Sequence, residues 1–180
     1  MNRVSVIGTS GSGKTTFAAA LAKALGVPHV ELDALSWGPG WTQLPTEELR
    51  SRVARIVAGD GWVVEGNYSA VRSVVWERAD TVVWLDYALP LILWRLARRT
   101  IRRIVTHEPC CNGNYETLRL TLSRDSNIIW VLASHPRHKH EYPLLLGTQQ
   151  QSGVQVVRLT SPRAARRWLR DVAPEPGQHV

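Results

Sequence analysis

The segment Gly8-Thr9-Ser10-Gly11-Ser12-Gly13-Lys14-Thr15 follows the pattern G-x-x-x-x-G-K-[ST] near the start of the chain. A chance match to this pattern in a chain of this length would occur in roughly one case in two hundred. The segment follows an apolar run, Arg3–Ile7, and precedes apolar residues at helical spacing from Thr16 to Leu25. A glycine-rich loop between a strand and a helix indicates a phosphate-binding P-loop, the Walker A motif.

The composition of this loop suits phosphate binding. Glycines let successive backbone N–H groups turn inward around a phosphate, and the N-terminus of the following helix adds positive potential. We therefore expect ATP as the cofactor, with Mg²⁺. The residues expected to contact the nucleotide are Gly8, Ser10, Gly11, Ser12, Gly13, Lys14, Thr15 and Thr16.

Three of these residues have distinct expected roles. The Lys14 ammonium should bridge the β- and γ-phosphates as a compact charge. The Thr15 hydroxyl should bind Mg²⁺. Thr16 is expected to serve as a packing or capping hydroxyl rather than as a second metal ligand.

Working outward, short apolar runs alternate with helical patterns along the chain. Near-continuous apolar strands that alternate with helices are typical of a parallel sheet covered on both faces, so the sequence predicts an α/β fold with three layers. Helices are expected from Thr46, from Pro90 to about Val105, and from Pro162 to about Arg170. The five predicted strands are Arg3–Ile7, His29–Leu32, Trp62–Glu65, Thr81–Leu85 and Val154–Leu159.

The alternation of apolar strands with helical patterns is interrupted between residues 106 and 150. We predict one domain over residues 1–173, with an insertion at 106–150 that carries a helix at about Glu116–Ser134 and a second at about Lys139–Thr148. Residues 174–180 are expected to form a flexible tail, because the sequence there is rich in proline and glycine.

The composition narrows the class of protein. The chain has 180 residues, 44% hydrophobic and 21% charged, which excludes a disordered protein. Its longest apolar run, Ala88–Trp94, is too short to cross a bilayer. The two cysteines are adjacent and the N-terminus does not resemble a secretion signal, so we expect a cytoplasmic protein. The net charge of +7, with 19 arginines and three lysines, favours anionic partners, either nucleic acid or phosphorylated small molecules.

The P-loop alone indicates nucleotide binding and not a reaction. The chain lacks the N-K-x-D motif of guanine-reading GTPases and is short for an ATPase of the AAA type. These features favour a small-molecule kinase.

Several segments resemble bacterial P-loop, adenylate-kinase-like proteins labelled DNA topology modulation protein. The resemblance covers about residues 1–105 and 154–170. It implies five parallel strands in the order 2-3-1-4-5, with a lid between strands 4 and 5. The segments that carry it are His29–Trp37, Gly40-Trp41, Trp62–Tyr68, Ala79–Asp86 and Leu159–Arg163.

The resemblance also implies roles for two arginines, and it has one departure. Arg95 and Arg99 stand four residues apart on a predicted helix face and occupy the positions of phosphate-clamping arginines. Adenylate kinases usually carry aspartate where this chain has Glu65, so the geometry of the metal or acceptor could be shifted.

Carboxylates follow three predicted strands. Ligands bind at the carboxyl ends of parallel strands, so Asp33 and Glu65 are expected to face the acceptor or to hold Mg²⁺ through water. The alternative for Asp33 is a turn or helix-cap residue. Asp86 imitates a Walker B carboxylate but is predicted to be structural.

Other candidates remain open between a site role and a structural one. Trp37, Trp41 and Tyr68 could stack on an acceptor or form core, and Asn67 could hydrogen-bond an acceptor.

The run Arg137-His138-Lys139-His140 could contact ATP phosphates from the lid or be exposed, whereas Arg98, Arg102 and Arg103 are expected to form a solvated face. A zinc site at Cys110-Cys111 with His107 is disfavoured, since adjacent cysteines without a second pair suit zinc poorly.

The sequence therefore predicts an ATP-dependent phosphotransferase with a small, anionic or nucleotide-like acceptor. The catalytic residues would be Lys14, Asp33, Glu65, Arg95 and Arg99. One alternative is a kinase for a hydroxyl acceptor such as a sugar, a shikimate-like acid or an antibiotic. Another is an ATP-dependent nucleic-acid-binding regulator. The protein could be a monomer or a dimer.

Overall fold

A computed structural model describes residues 1–108, 114 and 126–172 of the chain. All five predicted strands are present, each within one residue of its predicted bounds, and β2 ends one residue early because a helix begins at Leu32. The strands are β1 (Arg3–Gly8), β2 (His29–Glu31), β3 (Trp62–Glu65), β4 (Thr81–Leu85) and β5 (Gln155–Leu159).

The five strands form one parallel sheet in the order β2-β3-β1-β4-β5, which confirms the predicted fold class. Val6 of the central strand pairs with Glu65 of β3, and Glu65 also pairs with Glu31 of β2. On the other side of the centre, Gly8 pairs with Leu85. The carboxyl ends of β1, β2 and β3 are therefore in register, which brings the P-loop, Glu31 and Glu65 to one edge of the sheet.

Helices connect the strands and cover the sheet. The short helix that follows β2 and the helix that follows β3 were not anticipated from the sequence. The helices are α1 (Lys14–Leu25), α2 (Leu32–Ser36), α3 (Thr46–Val57), α4 (Ser69–Trp76), α5 (Leu89–Thr106), α6 (Asn127–Gln151) and α7 (Pro162–Val172).

The apolar core divides into two clusters, one on each face of the sheet. Alternate residues of a strand point to opposite faces, so Val6 belongs to the first cluster and Ile7 to the second. Helices α1 and α7 and the first half of α5 cover the first face, and α3 and α4 cover the second. Helix α6 contributes Val131 to the first cluster and Tyr142 and Leu146 to the second, so it passes from one face to the other.

The insertion differs from the prediction. We expected one helix to end near Ser134 and another to begin near Lys139, but α6 is a single helix that contains Pro136 and Pro143. A proline removes one backbone hydrogen bond and usually ends a helix. Buried side chains lie on both sides of each proline, and their packing keeps the segment helical. Most of the first predicted helix, and the tail at 174–180, lie outside the described residues.

Among the described residues, none of the helices combines the length and the apolar character needed to cross a membrane.

Candidate functional site

The predicted phosphate loop joins β1 to α1 and has the backbone that its glycines allow. Gly11 has a φ of 84°, and a Cβ there would lie 3.0 Å from the Ile92 carbonyl oxygen. At Gly8 (φ 155°), a Cβ would lie 2.9 Å from the Leu85 carbonyl oxygen. The Ser12 N–H donates to the Thr9 carbonyl at 3.0 Å and tightens the turn. Larger residues at these glycines would displace the loop.

Lys14 begins α1, and its ammonium lies under the loop. Its Nζ donates to the Thr9 carbonyl oxygen at 3.4 Å, a long contact. Burial lowers the pKa of the Lys14 ammonium, and the Glu65 and Asp33 carboxylates oppose that shift. The ammonium is thus held between a loop that can bind phosphate and two carboxylates.

Thr15 and Glu65 are joined directly. The Thr15 hydroxyl donates to Glu65 Oε1 at 2.7 Å, and Glu65 is 2% exposed at the end of β3. Burial raises the pKa of the Glu65 carboxyl, whereas Lys14 and the hydrogen bond from Thr15 lower it. A hydroxyl beside a carboxylate is an oxygen donor set that suits Mg²⁺, directly or through water. Thr16 lies exposed in the first turn of α1.

Asn67 fixes the start of the loop. The Gly8 N–H donates to Asn67 Oδ1 at 3.1 Å, and Asn67 Nδ2 donates to the Gly8 carbonyl. The sequence offered Asn67 as a hydrogen-bond partner of an acceptor. The structure instead uses both ends of its amide on the P-loop backbone, because β3 and β1 are neighbours in the sheet.

The two predicted clamping arginines lie on the face of α5 that turns toward the loop. Arg95 Nη1 donates to the Ser12 carbonyl at 3.0 Å, and the Arg95 guanidinium lies 5.5 Å from the Tyr87 ring centre. Arg99, one turn further on, is close enough to Lys14 to lower the pKa of that lysine. The helix therefore brings two positive charges to the place where a triphosphate would lie.

Of the three further arginines of α5 that were expected to form a solvated face, Arg98 and Arg102 are exposed, whereas Arg103 is half-buried. Arg98 lies over the exposed Trp94 ring at 5.6 Å, and Arg102 forms an exposed ion pair with Glu108 at 3.0 Å.

The ends of β2 and β3 form the other side of the site, where an acceptor was predicted. Asp33 lies exposed in the first turn of α2 rather than in a loop. Burial and the nearby Asp33 carboxylate raise the pKa of the Tyr68 phenol. Trp37 and Trp41 meet edge to face with ring centres 5.9 Å apart. Asn114, from the insertion, accepts from the Trp41 N–H at 3.0 Å, which ties the insertion to this side of the site.

The four residues of the basic run on α6 lie on different sides of the helix, because successive residues of a helix point in different directions. His138 is 6% exposed, with Nδ1 at 3.4 Å from the Thr9 hydroxyl of the P-loop and its ring stacked on Tyr142 at 4.6 Å. Lys139 pairs with Asp86, while Arg137 and His140 are exposed. Neither of the two expectations for this run describes all four residues.

Burial and nearby cations lower the pKa of His138 to about 4, against 6.5 for a free histidine. Because the pKa of His138 is lower in the folded protein, the unfolded chain takes up a proton at this histidine at a higher pH than the folded protein does. The folded state is therefore favoured most above pH 6.5, and it loses this contribution as the pH falls toward 4. We expect the free energy of unfolding to drop by up to about 2–3 kcal/mol over this interval through His138. Urea unfolding at pH 7, 6, 5 and 4 measures it.

The matched variants for this experiment are His138→Phe, which keeps a ring on Tyr142, and His140→Phe, which changes an exposed histidine two residues away. The first should flatten the pH dependence and the second should leave it unchanged. A His138→Phe curve parallel to that of the unmodified protein would show that His138 is not the group responsible.

Asp86 is a structural carboxylate. Its side chain is 3% exposed, and it lies 2.7 Å from Lys139 Nζ and 2.6 Å from Arg158 Nη2. The Arg158 guanidinium also lies over the Trp84 ring at 4.8 Å. Asp86 therefore links α6 to the β4–β5 edge of the sheet, which agrees with the structural role predicted for it.

Helix α7 carries an exposed basic face beyond the site. Its buried side packs Ala165, Trp168 and Leu169 on the first cluster. Four arginines at positions i, i+3, i+4 and i+7 share the opposite side, and all are exposed: Arg163, Arg166, Arg167 and Arg170.

Part of the chain matches a known protein family. A family model described as ATPase family associated with various cellular activities matches residues 4–86, a little under half of the chain. No curated protein matches the sequence.

Solved structures that share the fold of this chain include three kinases. A shikimate kinase from Bacteroides thetaiotaomicron superposes with a TM-score of 0.58 at 15% identity and covers 95% of this chain and 96% of its own. A gluconokinase from Sinorhizobium meliloti gives 0.53 at 20% identity, with 96% and 93% covered. A sugar kinase from Janibacter gives 0.53 at 20% identity, with 99% of each chain covered. At these identities the likeness establishes a shared fold.

Proposed function

We propose that the protein is a kinase that transfers the γ-phosphoryl group of Mg-ATP to a hydroxyl of a small molecule. The arrangement of Lys14, Thr15 and Glu65 beneath the glycine loop carries this proposal. Arg95 and Arg99 reach the same loop from α5 and supply further positive charge. Phosphoryl transfer depends mainly on positioning and charge neutralisation, and this set of residues provides both.

Each residue has a stated role in the proposed reaction. The loop N–H groups and Lys14 would bind the β- and γ-phosphates. The Lys14 ammonium would then contact phosphate oxygens in place of the nearby Glu65 and Asp33 carboxylates. The Thr15 hydroxyl would hold magnesium, with Glu65 orienting a metal-bound water. Bound magnesium would neutralise charge on the phosphate oxygens. Arg95 and Arg99 would stabilise the charge of the transferred group.

The acceptor side favours a hydroxyl compound over a nucleotide-like anion. Three carboxylates, those of Glu31, Asp33 and Glu65, lie at the ends of β2 and β3 and would repel a bare phosphate. Asp33 is exposed, so it can accept the proton of an acceptor hydroxyl as a general base. The fold shared with a shikimate kinase and a gluconokinase supports the same choice.

The acceptor class is tested with a panel of polyols, sugars, sugar acids, hydroxylated cyclic acids and nucleoside monophosphates, with ADP release as the readout. We expect a hydroxyl compound to stimulate ADP release and the monophosphates to have no effect. Stimulation by a nucleoside monophosphate alone would reverse the assignment. Equal ADP release with and without every acceptor would indicate an ATPase instead.

With the acceptor identified, Asp33→Asn should lower kcat by about a hundredfold or more, because the variant cannot take up the hydroxyl proton. ATP affinity, measured by thermal shift, should change little. Asp60→Asn, at an exposed aspartate after α3, is the matched control and should retain full activity. A kcat for Asp33→Asn within threefold of the control would remove Asp33 as the base.

Nucleic-acid binding is a second candidate, and the arginine face of α7 favours it. Four phosphate contacts would give a slope of about −3.6 for log affinity against log salt concentration on duplex DNA. Fluorescence anisotropy between 50 and 200 mM salt measures this slope. Replacing Arg166 and Arg167 with glutamine should reduce the slope by about two. Absence of binding at low salt would exclude this candidate.

A further inference from the structure

A second set of potential ligands lies next to the phosphate site. His29 and Glu31 stand two residues apart on β2, and Glu31 pairs in register with Glu65 of β3. One ligand atom from each of the three residues lies within 4.8 Å of the others. The P-loop pattern does not include His29 or Glu31, and the proposed kinase reaction does not use the imidazole.

The imidazole of His29 gives the second observation. Its Nε2 atom is buried, and within the described part of the chain it has no hydrogen-bond partner. A buried polar atom without a partner destabilises the folded state. One ring nitrogen of His29 lies within 4.8 Å of oxygen atoms of two carboxylates, so a cation bound between them would give the imidazole a partner.

The charges at this place also favour a cation. Glu31, Asp33 and Glu65 are close enough together that Glu31 and Asp33 both raise the pKa of Glu65. Lys14 is the cation that offsets them, and its ammonium also lies beneath the phosphate loop. When Lys14 binds phosphate, these carboxylates lose part of their compensation.

We propose that His29, Glu31 and Glu65 form a binding site for a divalent transition-metal ion of the zinc class. One imidazole nitrogen and two carboxylate oxygens suit Zn²⁺ or Co²⁺, whereas Mg²⁺ prefers oxygen ligands alone. Zinc bonds to these ligands are about 2.0–2.2 Å long, so the three atoms need to approach one another by about 1 Å. A fourth position would remain for water.

This site goes beyond the proposed kinase function because it needs no nucleotide. Magnesium would arrive with ATP and bind the Thr15 hydroxyl, whereas the zinc-class ion would bind the free protein through a nitrogen ligand. Glu65 belongs to both sets, because its carboxylate also accepts the hydrogen bond from Thr15.

The test uses nucleotide-free protein with Cys110 and Cys111 both replaced by serine, so that thiols cannot bind the metal. Co²⁺ is added and its visible absorption bands are recorded, and Zn²⁺ binding is measured by calorimetry. We expect one ion per chain, with Mg²⁺ in millimolar excess failing to displace it.

His29→Gln and Glu31→Gln should each weaken Zn²⁺ binding by about tenfold or more. His140→Gln, at an exposed histidine of α6, is the matched control and should bind as the parent does. Circular dichroism and thermal unfolding check that each variant is folded.

Absence of Co²⁺ bands and of Zn²⁺ binding would overturn the proposal, as would binding that His29→Gln leaves unchanged. Either result would leave the kinase assignment intact, because that assignment depends on ATP, Lys14 and acceptor-stimulated ADP release. Conversely, Zn²⁺ binding through His29 in a protein without kinase activity would support the metal site alone.

Discussion

Replacement of Lys14 by methionine should reduce acceptor-stimulated ADP release by about a hundredfold or more, which corresponds to roughly 2.7 kcal/mol of transition-state stabilisation. Lys14 is the lysine whose Nζ contacts the P-loop backbone, at the Thr9 carbonyl. Methionine has a similar length and no charge, so the loop should keep its shape while the phosphate charge goes unneutralised. Steady-state kinetics at saturating acceptor measure the effect.

Lys23→Met is the matched control, because Lys23 is exposed near the end of α1 and carries the same charge. We expect it to retain full kcat. Thermal unfolding checks that the Lys14→Met variant is folded, because the substitution removes a cation that offsets the Glu65 and Asp33 carboxylates. Full turnover by Lys14→Met would mean that the loop does not bind a transferred phosphate.

The second large effect concerns stability. Replacing both Lys139 and Arg158 by methionine leaves the Asp86 carboxylate buried without either of its two cations. Removing the partners of a buried charge destabilises a protein by about 3–5 kcal/mol, which for this size lowers Tm by about 10 °C. Each single variant should lose less, because the other cation stays within 2.7 Å of Asp86. Urea and thermal unfolding measure both quantities.

A third substitution separates charge from packing. Adding Asp86→Leu to the double variant should restore most of the stability, because no charge is then buried. Arg52→Met, which breaks an exposed ion pair with Glu48, should change stability by less than about 1 kcal/mol. If the double variant were as stable as Arg52→Met, the Asp86 network would contribute no more than a surface pair.

Local sequence patterns were sufficient for the framework of the site. Glycine spacing identified the loop, and the apolar runs on either side of it identified β1 and α1. The four-residue interval between Arg95 and Arg99 places both side chains on one face of a helix, and the structure turns that face toward the loop. The positions of the loop and of the two arginines could be predicted because they depend on residues close together in the chain, and the clamping role of the arginines stays a prediction.

Predictions that depended on partners from distant segments did less well. Two helices were predicted where α6 is continuous through Pro136 and Pro143, because burial of Tyr142 and Leu146 against the second face outweighs the hydrogen bonds that the prolines remove. Asn67 lies on the loop backbone, at a place that only the neighbouring positions of β1 and β3 create. His138 could not be distinguished from exposed neighbours, because its burial depends on which side of α6 meets the P-loop.

The sequence by itself determined that a phosphate loop follows the first strand and that parallel strands alternate with helices, since both follow from short-range backbone preferences and apolar spacing. The order of the strands was implied only by resemblance, and cross-strand neighbours had no local signature. Tertiary structure alone decided that Glu31 lies against Glu65, that His29 points toward both carboxylates and that Asp86 pairs with Lys139 and Arg158. Except for His29 with Glu31, which stand two residues apart on β2, those contacts join residues 34 to 72 positions apart, and the packing of the sheet, rather than any one segment, sets them.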